Sequence, residues 1–288
     1  MKSTIECMPC FVEHALHVAA MLTGDIPSRH EIIKKVFAEL SVMELEETPP
    51  EMARKIHRII RDVTGVHDPY LKIKDESTEF ALKLLPFLRE DIDKAEDKFE
   101  AIVRVVIAGN IIDFGADINF KLESAHDRIK EAFTAPLDIE NVRVLQKAMD
   151  RAENILYLAD NCGEAVFDRL LIEPYRDKIT LAVRGFPILN DITSRELAHS
   201  GLDGLVKEVI DTGDATPGVV LKYCKPEFVK AFNEADLIIS KGQGNFETLS
   251  DTERPVVFLF RVKCKVLSAM LDKVPMGSLH VIPMNVSE

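Results

Sequence analysis

Apolar positions in the first half of the chain recur at helical spacing, in "FVEHALHVAAML", "HEIIKKVFAELSVM", "PEMARKIHRIIRDV", "STEFALKLLPFL" and "KFEAIVRVVIAGNII". A period near 3.6 gathers such residues on one face, so each segment predicts an amphipathic helix. Ser28 before "RHEIIKKVF" and Thr48-Pro49-Pro50-Glu51 before "MARKIHRII" are the expected starts of two of them. A hydroxyl caps free backbone amides, and proline is tolerated in a first turn. Near residue 150 the pattern changes to short β-rich runs: "NILYLAD", "KITLAVRG", "LVKEVIDTG", "ADLIISKG", "PVVFLF" and "LHVIPM". Amphipathic helices fit between most of these. Such alternation predicts an α/β fold with a mostly parallel sheet covered on both faces. A mainly helical region over 1–150 therefore precedes an α/β region over 151–288, and no long linker separates them.

In a sheet of this kind the ligand crevice lies at the carboxyl ends of the strands, so the residues after each strand matter most. Asp160-Asn161-Cys162-Gly163-Glu164 follows the first run, "RGFPILND" (184–191) the second, "DTGDATPG" the third and "KGQGNFE" (241–247) the fourth. Each acid taken alone could be a helix cap, Asp160 for the next helix and Asp191 for "ITSRELAHSG". Taken together they pose an electrostatic problem. If Asp160 and Asp191 face one crevice, their repulsion and desolvation are costly unless a cation sits between them. Two carboxylates with the Asn161 side-chain carbonyl form a hard, all-oxygen, incomplete shell suited to Mg²⁺ or Mn²⁺. Cys162 is expected to be structural. Lys241 ends a strand at the same edge as a natural phosphate partner, and Gly242 and Gly244 allow close backbone approach to a ligand.

Composition narrows the partners. The 288 residues carry a formal charge of −12 with no useful Lys/Arg stripe, which argues against nucleic acid. No run reaches the roughly 18 to 20 apolar residues of a membrane span, and "MKSTIECMPC" lacks the apolar stretch of a secretory signal, so the expected location is the cytoplasm. A GxxxxGK[ST] loop and a GxSxG elbow are both missing, and in "GQGNFE" Glu247 stands where a dinucleotide fingerprint needs its third glycine. The cysteine count is odd, and Cys7 and Cys10 are spaced as a metal or redox pair. His14 and His17 share roughly the same helical face. Residues 7 and 17 of a helix are about 15 Å apart, so at most Cys7, Cys10 and His14 could share one ion.

"LADNCGEAVFD", "RGFPILND", "KGQGNFE", "RVKCKV" and the earlier "AGNIIDFGAD", each at a predicted strand end or helix boundary and together spread over nearly the whole chain, resemble the metal-dependent damage-control phosphatase family (formerly domain of unknown function 89). "CMPC" and Asp68-Pro69-Tyr70 are similar to its prokaryotic, CxxC-containing branch. The resemblance implies a helical domain packed on a Rossmann-like α/β/α domain, and hydrolysis of phosphate monoesters of small metabolites with a divalent ion (Mn²⁺, Mg²⁺, Co²⁺ or Ni²⁺). It implies Asp160, Asn161 and Asp191 as metal ligands, with Asp160, Asp191 and Lys241 as catalytic groups. Asn110, Asp113 and Lys241 line the substrate pocket by the same argument; Glu164 and Asn190 also fall within matched motifs. Attack by water and an aspartyl-phosphate route both stay open, with water preferred. Two rivals stand beside this reading: an S-adenosylmethionine-dependent carboxyl methyltransferase, and a non-enzymatic metal or redox protein built on Cys7 and Cys10. The sequence leaves the oligomeric state open.

Overall fold

The computed structural model of the protein describes residues 1–109 and 129–286. Helices α1 (Cys7–Leu22), α2 (Ile26–Ser41) and α3 (Pro49–Thr64) lay their apolar stripes against one another. Phe11, Ala15, Val18, Ile32, Val36, Met52, Ile56 and Ile60 form the shared cluster. Helix α3 starts as expected: Thr48 and Glu51 close a capping box in which the Thr48 amide donates to Glu51 Oε2 at 2.9 Å. Helix α2 starts earlier than Ser28. Its cap is Asp25, whose Oδ2 accepts from the Ser28 amide at 2.8 Å, with Pro27 accommodated in the first turn.

Helices α4 (Leu71–Asp93), α5 (Lys98–Ala108) and α6 (Ile139–Arg151) precede the alternating part. There β1 (Ile155–Leu158), α7 (Cys162–Ile172), β2 (Ile179–Val183), α8 (Leu197–Ser200), β3 (Glu208–Asp211), α9 (Pro226–Glu234), β4 (Leu237–Lys241), α10 (Gln243–Leu249), β5 (Val256–Arg261), α11 (Lys265–Met270) and β6 (Leu279–Met284) follow in turn. The strands lie in the order β3-β2-β1-β4-β5-β6. All neighbours are parallel except β6, which runs antiparallel to β5. The expected α/β class, mostly parallel sheet and helical N-terminal part are what the fold contains.

Strand periodicity divides the burial. Tyr157, Leu181, Ile239 and Val257 face one layer and Leu156, Ala182, Ile238 and Phe258 the other. The first layer is supplied by α4, α5, α6 and α7, through residues such as Leu84, Val106, Leu145 and Phe167. The second comes from α9 and α10, through Phe228, Phe232 and Phe246. Helices α4–α6 thus share a core with the sheet, and the pattern change near residue 150 marks a change of secondary structure inside that core. No described helix is long and apolar enough to cross a membrane.

The strand order reverses direction between β1 and β4. Their carboxyl ends therefore diverge around a crevice, where such sheets bind ligands.

Candidate active site

Two loops close on each other at that crevice. The Ile192 amide donates to Asp160 O at 2.8 Å and the Cys162 amide to Asn190 O at 2.9 Å. Asn161 and Asp191 face each other as an antiparallel bridge pair. This short ladder joins the loop after β1 to the loop after β2, and it brings together Asp160, Asn161 and Asp191, which the sequence separates by about thirty positions. All three side chains are buried. From the other side Gly242 (φ +80°) presses on Asp160: a Cβ there would stand 2.0 Å from Asp160 Oδ2. Neither acid is a helix cap. Asn161 occupies the cap position of α7 without a capping bond, and the turn Ser194–Glu196 is capped by Thr193 and Glu196.

A cation does stand between the acids, and it is Arg184. Its Nε donates to Asp191 Oδ2 at 2.6 Å, Nη2 lies 3.7 Å from Asp160 Oδ1, and Nη2 also donates to Asn245 Oδ1 at 3.1 Å. Burial pushes the Asp191 carboxyl up to about 7 while Arg184 pulls it down. Sequence reasoning treated Arg184 as the tail of a strand. The signal was available in "LAVR", because an arginine that ends a fully buried run must find an acid inside.

Lys241 departs from the role expected of it. It is completely buried, and its ammonium donates to Val106 O at 3.0 Å, to Asp168 Oδ1 at 2.6 Å and to Glu164 Oε1. Those three bonds use all its protons, so it does not present one to a phosphate in this structure. Glu164 and Asp168 are four residues apart on one face of α7, which is why both reach it. Burial drives the Glu164 carboxyl up to about 8 and raises that of Asp168. One ammonium faces two buried carboxyl groups, so the triad retains a proton near neutrality. The Asn161 amide nitrogen reaches Asp160 Oδ2 at 3.2 Å and Glu164 Oε2 at 3.5 Å, so Glu164 borders the two loops.

The remaining expectations divide. A Cβ at Gly244 would meet Pro217 O at 2.1 Å, so its smallness lets α10 pack on the loop after β3. Asn190 contributes its carbonyl to the ladder. Asn110 and Asp113 lie outside the described residues. Cys162 is buried, and burial raises its thiol, as a structural cysteine requires. Cys7 is buried and Cys10 exposed. His14 turns away from them to His57, Nε2 to Nε2 at 2.9 Å. Among the described residues no three His, Cys, Asp or Glu side chains are grouped to hold a metal.

One cation was missed entirely. Lys74, in the first turns of α4, has no exposed surface, and its Nζ lies 3.0 Å from Asp68 Oδ2 and 3.9 Å from Glu196 Oε1. Its charge is felt by Asp191 and Cys162. A lysine near a helix N-terminus runs against the dipole, so the "DPYLKIK" stretch carried a readable local conflict.

A family model described as the damage-control phosphatase ARMT1-like domain matches residues 3–278. The chain belongs to this family. A protein named damage-control phosphatase PH1575, from Pyrococcus horikoshii, is 36% identical over 286 residues, 97% of each chain. A damage-control phosphatase of Archaeoglobus fulgidus is 30% identical over 273 residues, 92% of this chain and 93% of the relative. The crystal structure of a DUF89 family protein from Pyrococcus horikoshii matches with a TM-score of 0.88 and 34% identity, covering 98% of this chain and 99% of that one. The motif resemblance and the expectation of a phosphatase are both met by these relatives. They lend no support to the methyltransferase alternative.

Proposed function

We propose that this damage-control phosphatase relative hydrolyses phosphate monoesters of small metabolites with the help of a divalent ion held by Asp160, Asn161 and Asp191. The observation that carries the reading is the ladder between the loops after β1 and β2, which sets two buried carboxylates and an amide side by side. The donor set is all oxygen and unsaturated, as Mg²⁺, Mn²⁺ or a similar hard ion prefers. When bound, such an ion polarises a phosphoryl oxygen and acidifies water.

The chain's own residues have separate tasks. Arg184 orients Asp191 through Nε and ties it to Asn245, so the carboxylate cannot rotate freely. Lys241 anchors Glu164 and Asp168 on α7, and through Glu164 it steadies Asn161. Gly242 leaves room for the Asp160 carboxylate. With both aspartates committed to a cation, water is the nucleophile: its oxygen forms the new bond to phosphorus, the ester P–O bond breaks, and the alcohol leaves with a proton.

Asp160→Ala tests this directly. The variant should retain its far-ultraviolet circular dichroism and lose metal-dependent hydrolysis of p-nitrophenyl phosphate. Undiminished turnover with Mn²⁺ present would refute the assignment.

A further inference from the structure

Helix α3 lies across the carboxyl edge of the sheet and turns a row of arginines toward it. Arg54, Arg58 and Arg61 are spaced four and three residues apart, which puts them on one face. Contacts at both ends fix where that face points. Arg54 Nε donates to Asp214 Oδ1 at 2.8 Å in the loop after β3, and its guanidinium stacks 4.5 Å from the Tyr223 ring. Arg61 Nη1 reaches Pro187 O at 3.4 Å, in the loop that carries Asp191. The row therefore runs from the loop after β3 to the loop after β2 that carries Asp191.

The compensation along this row is incomplete. Arg54 has a carboxylate partner, whereas Arg58 is exposed and Arg61 is half-buried against one long carbonyl contact. Among the described residues the Pro187 carbonyl is the one protein hydrogen-bond acceptor that Arg61 reaches. Burial lowers its pKa, with Arg54 and Arg58 adding repulsion against the attraction of Asp62 and Asp214. A guanidinium fork is shaped for the two oxygens of a carboxylate or phosphate.

We propose that Arg58 and Arg61 form an anion subsite that binds a second charged group of the substrate, a phosphate or carboxylate distal to the ester being cleaved. Arg54, fixed by Asp214 and Tyr223, is the wall of this subsite. The substrate class is then a small metabolite with two anionic ends. This rests on the phosphatase reading above and deepens it.

The test compares the Mn²⁺-loaded enzyme on a hexose bisphosphate and on the matching hexose monophosphate, the latter with and without added inorganic sulfate. Wild type should favour the bisphosphate by about tenfold in kcat/KM, the scale of one charge-assisted hydrogen bond. In Arg61→Ala that preference should collapse through KM, and Arg61→Lys should restore part of it. Equal kcat/KM for both substrates in wild type, or a preference untouched in Arg61→Ala, overturns the proposal. Sulfate that raises monophosphate turnover to the bisphosphate level assigns the row to a free anion and overturns it as well. If no ester is cleaved, the phosphatase reading has failed by itself. Millimolar hexose bisphosphate must then still raise the melting temperature of wild type and not of Arg61→Ala; absence of that difference sinks the subsite.

Discussion

Two of the buried polar clusters among the described residues are handled in opposite ways. In the helical cluster of α1–α3, His14 and His57 meet nitrogen to nitrogen, and burial pushes them down to about 4 and about 3, so both are neutral at physiological pH. At the carboxyl edge of the sheet the Arg184 and Lys241 cations are buried against Asp160, Asp191, Glu164 and Asp168, where burial pushes the Asp191 and Glu164 carboxyls up to about 7 and about 8. Burial penalises charge in both places. The histidine pair relaxes to the neutral form, whereas the edge supplies arginine and lysine counter-ions to its carboxyl groups. That contrast separates the candidate site from the histidine pair.

The strongest way to break the comparison is Arg184→Ala, which leaves Asp191 buried without its partner. Removing one member of a buried ion pair costs about 3–5 kcal/mol, read as a drop in urea unfolding free energy at pH 7. A loss below about 1 kcal/mol would mean that solvent already compensates Asp191.

The histidines sharpen the other half. In the unfolded chain they protonate near 6.5, in the folded chain only near 4 and 3, so the unfolded state binds more protons between those values. Stability is therefore intact above about pH 6.5 and falls on acidification, by up to about 2.7 kcal/mol per pH unit for two protons. Replacing both histidines with phenylalanine should flatten this slope, while the neutral pair itself needs one shared N–H between the facing nitrogens.

Gly242→Ala combines a positive φ with a Cβ 2.0 Å from Asp160. It should cost about 1–3 kcal/mol and weaken Mn²⁺ binding, because the carboxylate must move. Thr48→Ala, at the start of α3, serves as a control that touches neither Asp160 nor Asp191. Loss of its capping box should lower stability by about 1 kcal/mol with Mn²⁺ affinity unaltered.

Much of this arrangement was legible in the chain, for definable reasons. β-Branched runs ending in acid, amide or lysine placed the sheet edge, and the mutual repulsion of Asp160 and Asp191 demanded a cation. The run "LAVR" signalled that Arg184 needs an acid, but which acid was hidden, since Arg184 reaches Asp191 through a loop whose fold depends on the 160–162 and 190–192 ladder. Such non-local pairing leaves no periodic trace. Lys241 was placed on the right strand, yet its partners sit on α7, and only the Glu164/Asp168 spacing hinted at them. The boundary at residue 150 reflected local period, whereas burial joins α4–α6 to the sheet across it.

Calorimetric titration with Mn²⁺ bears most directly on the central claim that the ladder assembles Asp160, Asn161 and Asp191 into one ion site. The account predicts one ion per wild-type chain, and affinity lowered by about a hundredfold in Asp191→Asn with circular dichroism preserved. A folded Asp191→Asn protein that binds Mn²⁺ as tightly as wild type would contradict it.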